Sequence, residues 1–230
     1  MKRFVLLSLT IITASALSGG RCFAEAPATA PTLPELFTSD FSGGLDAWVM
    51  TDPAAWKIED ESGDAKFSLF GKSDYEAPVR SPHNMARIKE LVVTDFELEV
   101  DAKQTGKEYG HRDLCFFFGY QDPSHFYYVH LATVADPHAN SIFLVNGAPR
   151  VSIAQKRTNG TDWKTGYHRV RIERNTESGT IKVYFNDMKT PVMETVDKTF
   201  LYGEVGLGSF DDTGNFDNLI VRGVLHKPAE

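Results

Sequence analysis

Hydrophobic and polar residues alternate along much of this 230-residue chain, and the pattern is clearest between residues 91 and 105. Successive side chains of a β-strand point to opposite faces, so this segment is predicted to be a strand with one buried and one solvent-exposed face. The inward positions are Phe96, Leu98, Val100 and Ala102, and the outward positions are Glu97, Glu99, Asp101 and Lys103.

The segments 167–174 and 180–186 alternate in the same way. Their outward Arg169, Arg171 and Lys182 are expected to pair across strands with the acids of the first segment. We therefore interpret the acidic run Glu97-Leu98-Glu99-Val100-Asp101 as a solvent-facing charge ladder. The order of its acids departs from the catalytic Glu-x-Asp-x-Glu strand of laminarinase-type glucanases.

Turn-forming residues separate many further short segments of strand character. No segment has the period of a three-turn amphipathic helix, so the pattern favours an all-β fold, an antiparallel two-sheet jelly-roll sandwich. The additional strands are predicted at 56–59, 65–70, 75–80, 111–121, 125–132, 141–145, 149–156, 192–197, 205–210 and 216–224.

The segments 111–121 and 125–132 are joined by Asp122-Pro123-Ser124, which predicts a central hairpin. One of its faces is apolar. The other carries candidate catalytic residues, His111, Asp113, Tyr128 and His130, and an aromatic ring for substrate binding, Phe126.

An imidazole can act as a general base or acid, a carboxylate can orient it, and a phenol can donate a hydrogen bond to a developing negative charge. Such a face predicts the floor of a binding groove whose groups are suited to acid–base catalysis. Two alternatives remain open. The same groups can bind the hydroxyls of a ligand while Phe126 or Tyr128 stacks on one of its rings, or Asp113 and His130 can be polar groups at the edge of the core.

Loops supply further candidate substrate-binding residues. Arg80 and His83 lie in one predicted loop region and Arg150 in another, and either arginine is suited to pairing with the carboxylate of a uronic acid. The alternative is that these arginines are simply solvated.

The N-terminus has a basic start, a short apolar run and small residues before Glu25, which predicts a secretory signal peptide at 1–24. A Pro/Ala/Thr-rich tether at 25–35 and one domain at 36–226 follow, so we expect a secreted or periplasmic protein without a membrane span. Cys115 is then the only cysteine of the mature chain. The net charge of −7 and the lack of a basic tract argue against a nucleic-acid partner.

The C-terminal run from Gly203 to Gly223, GEVGLGSFDDTGNFDNLIVRG, resembles the last two strands of concanavalin A-like (laminin-G-like) jelly rolls. The opening Asp40–Trp48 and the pair of segments 167–174 and 179–186 resemble other strands of such domains. The chain also resembles the secreted bacterial 3-keto-disaccharide hydrolase-like domains of this type, which implies an oligosaccharide or polysaccharide partner. Domains of this type often carry calcium where the first and last strands meet, which implies a structural Ca²⁺ site at Asp40 and Asp217.

Two classes of function therefore stay open. The chain is either a glycoside hydrolase or lyase, or a non-catalytic carbohydrate-binding or adhesion module. A structural envelope protein without glycan affinity is a third possibility.

Overall fold

A computed structural model describes residues 32–228. The predicted signal peptide at 1–24 and most of the predicted tether lie outside the described residues. Apart from one 3-10 turn at Pro53–Ala55, the regular structure of this part of the chain is β, and it contains no helix long and apolar enough to cross a membrane. The strands are β1 (Glu35–Ser39), β2 (Trp48–Met50), β3 (Trp56–Asp60), β4 (Ala65–Leu69), β5 (Asn84–Gln104), β6 (Asp113–Asp122), β7 (His125–Ala132), β8 (Ser141–Asn146), β9 (Val151–Ser152), β10 (Lys156–Arg157), β11 (His168–Arg174), β12 (Thr180–Phe185), β13 (Met193–Val196), β14 (Gly203–Ser209) and β15 (Gly214–Leu225).

The long strand β5 belongs to two sheets. Its first part, 84–93, pairs with β2 and β14, and β6, β7, β8 and β9 follow β14 to complete sheet 1. Its second part, 93–104, lies between β11 and β15 in sheet 2, which continues through β12 and β13 on one side and through β1, β4 and β3 on the other. Glu90, with φ of 61°, takes a left-handed backbone conformation between the two parts. All strand pairs are antiparallel, so the predicted two-sheet antiparallel sandwich is confirmed.

The main core lies between the sheets. Sheet 2 contributes the inward side chains predicted for β5, and Phe96, Leu98, Val100 and Ala102 are all 3% exposed or less. Sheet 1 contributes one face of the β6–β7 hairpin, namely Leu114, Phe116, Phe118, Tyr127, Val129 and Leu131. Burial of these side chains is the largest favourable contribution to folding.

The outer face of sheet 2 is the predicted charge ladder. Arg169 donates to Glu99 Oε2 at 2.8 Å and to Asp101 Oδ1 at 3.2 Å, and Arg222 donates to Glu97 Oε1 at 3.1 Å. These charges are half-buried and each has an opposite charge beside it. The solvent-facing interpretation of the acidic run is therefore confirmed for this face.

The outer face of sheet 1 differs from the sequence expectation. It was predicted to be the floor of an open groove, but much of it is a second apolar cluster whose members are 3% exposed or less. The cluster consists of Met85, Cys115, Phe117, Phe126, Tyr128, Phe143 and Val145.

The segment from Phe70 to His83 covers part of this cluster, with Val79 packed against it. The strand predicted at 75–80 is wrong, because these residues form no ladder. The backbone is held by isolated bonds instead: Arg150 N donates to Arg80 O at 3.1 Å, and His83 N donates to Phe210 O at 3.1 Å. Burial still alternates along 75–80, since one side of the segment faces the protein. The alternation in the sequence therefore reflects a segment with one side toward the protein and one toward solvent, which pairs with no strand.

A glycine in β14 lets the apolar cluster lie flat on sheet 1. A Cβ atom on Gly208 would stand 2.0 Å from Asn84 O and 3.0 Å from the ring of Phe117. Only glycine fits between the β5 backbone and that ring without displacement. The glycine-rich motif of the C-terminal run thus has a packing role at this position.

Candidate functional site

Polar groups gather at one end of the outer face of sheet 1. β6 begins there with Asp113, β7 approaches its end there with His130, and the loop between β14 and β15 brings Asp211 and Asp212 alongside. Because β6 pairs with β7 in the register Cys115↔His130, the side chains of Asp113 and His130 lie on the same face as Cys115. We call this region the polar end.

The Asp113 carboxyl at the polar end is fully buried, with 0% of the residue's surface exposed. Its Oδ2 accepts from Phe210 N at 2.9 Å and from Cys115 Sγ at 3.0 Å, whereas its Oδ1 is buried and has no hydrogen-bond partner among the described residues. Burial raises the pKa of Asp113 to about 8. The Asp113 carboxyl therefore binds its proton far more tightly than a solvated aspartate does.

His130 faces Asp113 across the hairpin, with Nε2 3.8 Å from Asp113 Oδ1. The ring is 3% exposed, and its Nδ1 accepts a long hydrogen bond of 3.4 Å from Asn140 N. Burial, assisted by the charge of Arg150, lowers the pKa of His130 to about 3. His130 is therefore a neutral imidazole at physiological pH.

Arg150 reaches this face from the segment after β8. Its guanidinium lies between two aromatic rings, 4.2 Å from the centre of Phe210 and 4.7 Å from that of Phe143. It donates to Tyr128 Oη at 2.6 Å and to His138 O at 2.8 Å. Burial raises the pKa of the Tyr128 phenol well above its usual value. Within residues 32–228, Arg150 has no carboxylate within 4.0 Å.

His111 lies just before β6 and is 54% exposed at its side chain. Its Nε2 is 2.5 Å from Asp136 Oδ2. The pKa of the neighbouring Asp211 is raised by burial and by the adjacent charge of Asp212. An accessible imidazole oriented by a carboxylate has the geometry of a general base.

A pocket of about 440 Å³ opens next to Phe210. Arg80 and His83, both predicted to bind substrate, line it together with the rings of Tyr75 and Phe210. The His83 and Phe210 rings meet edge to face at 5.4 Å, and His83 Nδ1 lies 3.3 Å from Tyr75 O. Arg80 is exposed and, within the described part of the chain, has no carboxylate within 4.0 Å.

Phe126 is in a different environment from the one expected. It is 1% exposed and packs against Phe117, Tyr120 and Tyr128 in the apolar cluster. The cluster was predicted to be an open face, and the ring that was to stack on a sugar is covered. Tyr128 is likewise fully buried, and its hydroxyl accepts a hydrogen bond from Arg150.

The residues chosen for calcium, Asp40 and Asp217, are engaged separately. Asp217 is paired with the ammonium of Lys66, and its Oδ1 accepts from Asn218 N at 2.7 Å. Asp40 accepts from Ser42 N at 3.0 Å and from the Ser42 hydroxyl at 2.6 Å. A lysine on the Asp217 carboxylate opposes a divalent cation at that position, so these contacts do not favour the predicted Ca²⁺ site.

Sequence reasoning assigned no role to Phe210, Asp211 and Asp212, and it left Tyr75 in a predicted strand. The signal for the first three was present in the C-terminal run, where they lie in sequence at the junction between two predicted strands. An aromatic residue followed by two acids in a loop between strands is a suitable position for ligand contacts. The hydrogen bond from Cys115 Sγ to Asp113 was not expected.

No family model and no curated protein matches this sequence. Solved structures do match. The carbohydrate-binding module CBM66 from Bacillus subtilis aligns with a TM-score of 0.54 and 18% identity, covering 78% of this chain and 97% of the module. A putative glycosyl hydrolase from Parabacteroides distasonis aligns with a TM-score of 0.54 and 14% identity, over 82% and 100% of the two chains.

The winged bean acidic lectin in complex with methyl-α-D-galactose aligns with a TM-score of 0.54 and 14% identity, over 79% of this chain and 94% of the lectin. The chain has a concanavalin A-like jelly-roll fold. At these identities the likeness establishes the fold and assigns no activity.

Proposed function

We propose that this protein is secreted or periplasmic and that it binds a saccharide in the pocket beside Phe210. The observation that carries the proposal is the pocket itself, about 440 Å³ in volume, which is lined by two aromatic rings, an arginine and a histidine. Its volume lies within the range of ligand sites, which are largely apolar with a few polar groups that fix orientation.

The pocket residues suit the two kinds of surface that a sugar presents. The rings of Tyr75 and Phe210 can cover the C–H face of a pyranose, and Arg80 and His83 can donate hydrogen bonds to its hydroxyl or carboxylate oxygens. Fold analogy adds support, because a carbohydrate-binding module and a sugar-bound lectin share this architecture. The buried groups Asp113, Tyr128 and His130 then hold Phe210 and Arg150 in place without touching the sugar.

The test is a panel of oligosaccharides, including uronate oligomers and 3-keto disaccharides, titrated by calorimetry into the mature chain. Phe210→Ala is expected to raise the Kd of the best ligand at least about tenfold, which corresponds to about 1.4 kcal/mol. Tyr202→Ala is the matched control, since Tyr202 is also an exposed ring (42%) but lines another groove. Equal losses in both variants, or no binding to any glycan, would refute the proposal.

Cleavage of a glycosidic linkage is the second candidate function, and the His111–Asp136 pair favours it. An accessible imidazole held by a carboxylate can remove a proton from a sugar or activate water. If the protein is an enzyme, His111→Ala should abolish product formation in mass spectrometry. The Kd of the saccharide should stay within about threefold, a change of less than about 1 kcal/mol in binding free energy. An oligosaccharide recovered intact after long incubation with the wild-type protein would exclude it.

A further inference from the structure

Three side chains that commonly bind metals meet at the polar end. One ligand atom from each of Asp113, Cys115 and His130 lies within 4.8 Å of the other two. All three residues are at least 97% buried, with exposed fractions of 0%, 0% and 3%. The sequence did not predict this, because Cys115 and His130 are brought together only by the register of β6 and β7.

A second observation at this group points to a ligand. Asp113 Oδ1 is fully buried and has no hydrogen-bond partner in the described part of the chain. It points toward His130 Nε2, and the 3.8 Å separation is too long for a hydrogen bond. Leaving a carboxylate oxygen buried and unpaired is costly, whereas a cation between these two atoms would satisfy both.

The chemistry of the three donors selects the cation. A thiolate, an imidazole nitrogen and a carboxylate oxygen form the kind of set that Zn²⁺ accepts, usually in tetrahedral geometry with one further ligand. A thiolate and a carboxylate together balance the charge of one divalent ion, so the buried site becomes electrically neutral. Coordination through His130 Nε2 moves the ring proton to Nδ1 and gives up only the long contact with Asn140 N.

A second group of potential ligands shares Asp113 but fits less well. It consists of Asp113, Asp211 and Asp212, which would suit a hard cation such as Ca²⁺. Asp212 Oδ2 is already occupied, because it accepts from the Tyr109 hydroxyl at 2.7 Å and from Asp113 N at 3.0 Å. The unpaired oxygen of Asp113 faces His130, which belongs only to the first group.

We propose that Asp113, Cys115 and His130 bind one divalent transition-metal ion, for which Zn²⁺ is the best chemical match. The site is separate from the saccharide pocket and does not depend on it. Phe210 connects the two, because its backbone N–H donates to Asp113 while its ring lines the pocket.

The test uses the full chain produced in medium supplemented with cobalt, which replaces zinc and reports its ligands by colour. The expected result is one cobalt ion per chain by mass spectrometry of the metal, with the near-ultraviolet charge-transfer band of a thiolate–cobalt bond. Cys115→Ser should remove the band and lower the metal content at least about tenfold. His125→Ala is the matched control, because His125 forms an exposed pair with Asp122 at 2.9 Å on the same hairpin and should retain metal and band.

His130→Gln provides a second variant whose folding is checked by circular dichroism, and it should also lose the metal. A wild-type protein without bound cobalt would overturn the proposal. So would a charge-transfer band that survives Cys115→Ser. Retention of metal in Cys115→Ser together with its loss in the double variant Asp211→Asn/Asp212→Asn would place the ion in the carboxylate group instead.

Discussion

The outer faces of the two sheets place their ionisable groups in opposite environments. On sheet 2, Arg169 lies between Glu99 and Asp101 and Arg222 lies beside Glu97, and all of these paired charges are partly exposed. On sheet 1, the Asp113 carboxyl is fully buried beside a neutral histidine and its pKa is raised to about 8, and Arg150 is held by rings and uncharged oxygens. Paired surface charges contribute little to stability, whereas a buried ionisable group without a counter-ion is costly to charge.

This contrast indicates where the molecule interacts with other species. On sheet 2, Glu97, Glu99 and Asp101 are each paired with an arginine of the chain. Among the described residues, the polar end of sheet 1 leaves Asp113 Oδ1 unpaired and Arg150 without a carboxylate within 4.0 Å, beside an open pocket. Polar groups that a fold keeps at such a cost are frequently functional.

Among the single substitutions that test this contrast, Arg150→Ala is expected to have the largest effect on stability. This change leaves the buried Tyr128 hydroxyl without a partner and removes a cation from between two rings. We expect the free energy of unfolding to fall by about 3 kcal/mol in chemical denaturation. Arg169→Ala, on the other sheet, should cost about 1 kcal/mol. A smaller loss for Arg150→Ala than for Arg169→Ala would contradict the contrast.

Tyr128→Phe isolates one hydrogen bond of the buried face and has a smaller expected effect. It removes only the hydroxyl that accepts from Arg150 at 2.6 Å. A buried donor left unpaired costs about 1–3 kcal/mol, so a loss near the middle of that range is expected in urea denaturation. Tyr202→Phe is the control, since Tyr202 is exposed, and it should change stability by less than about 0.5 kcal/mol. Equal effects of the two changes would show that Tyr128 is not the buried partner of Arg150.

The smallest expected effect is on the ladder of sheet 2. A double-mutant cycle between Arg169 and Glu99 should give a coupling free energy of about 0.5–1 kcal/mol. Because the pair is half-exposed, about 1 M salt should reduce that coupling substantially. A coupling above about 3 kcal/mol that salt does not change would mean that the ladder behaves as a buried network.

The sequence predicted the parts of the fold that depend on local alternation. β5, β7 and β11 were found from their two-residue period, and Arg169 was correctly expected to pair with the acids of β5. The predicted strand at 75–80 failed because its alternation reflects packing over sheet 1 without a partner strand. Period alone does not distinguish those two situations.

The candidate site depended on contacts that sequence does not encode locally. Arg80, His83, Asp113, Tyr128, His130 and Arg150 were all singled out, and the structure gathers them at or beside the polar end. Their environments were not predictable, because Phe126 and Tyr128 are buried in a cluster that combines residues of different strands, against which Val79 packs from more than 40 residues earlier in the chain. The hydrogen bond from Phe210 N to Asp113 likewise depends on long-range strand pairing.

Calorimetric titration of the glycan panel into the wild-type chain, Phe210→Ala and Tyr202→Ala tests the central claim most directly. We predict saturable binding of at least one oligosaccharide to the wild type, weakened at least about tenfold in Phe210→Ala and unchanged in Tyr202→Ala. Binding that persists in Phe210→Ala and is lost in Tyr202→Ala would contradict the account, because it would move the saccharide from the polar end of sheet 1 to the groove beside Tyr202.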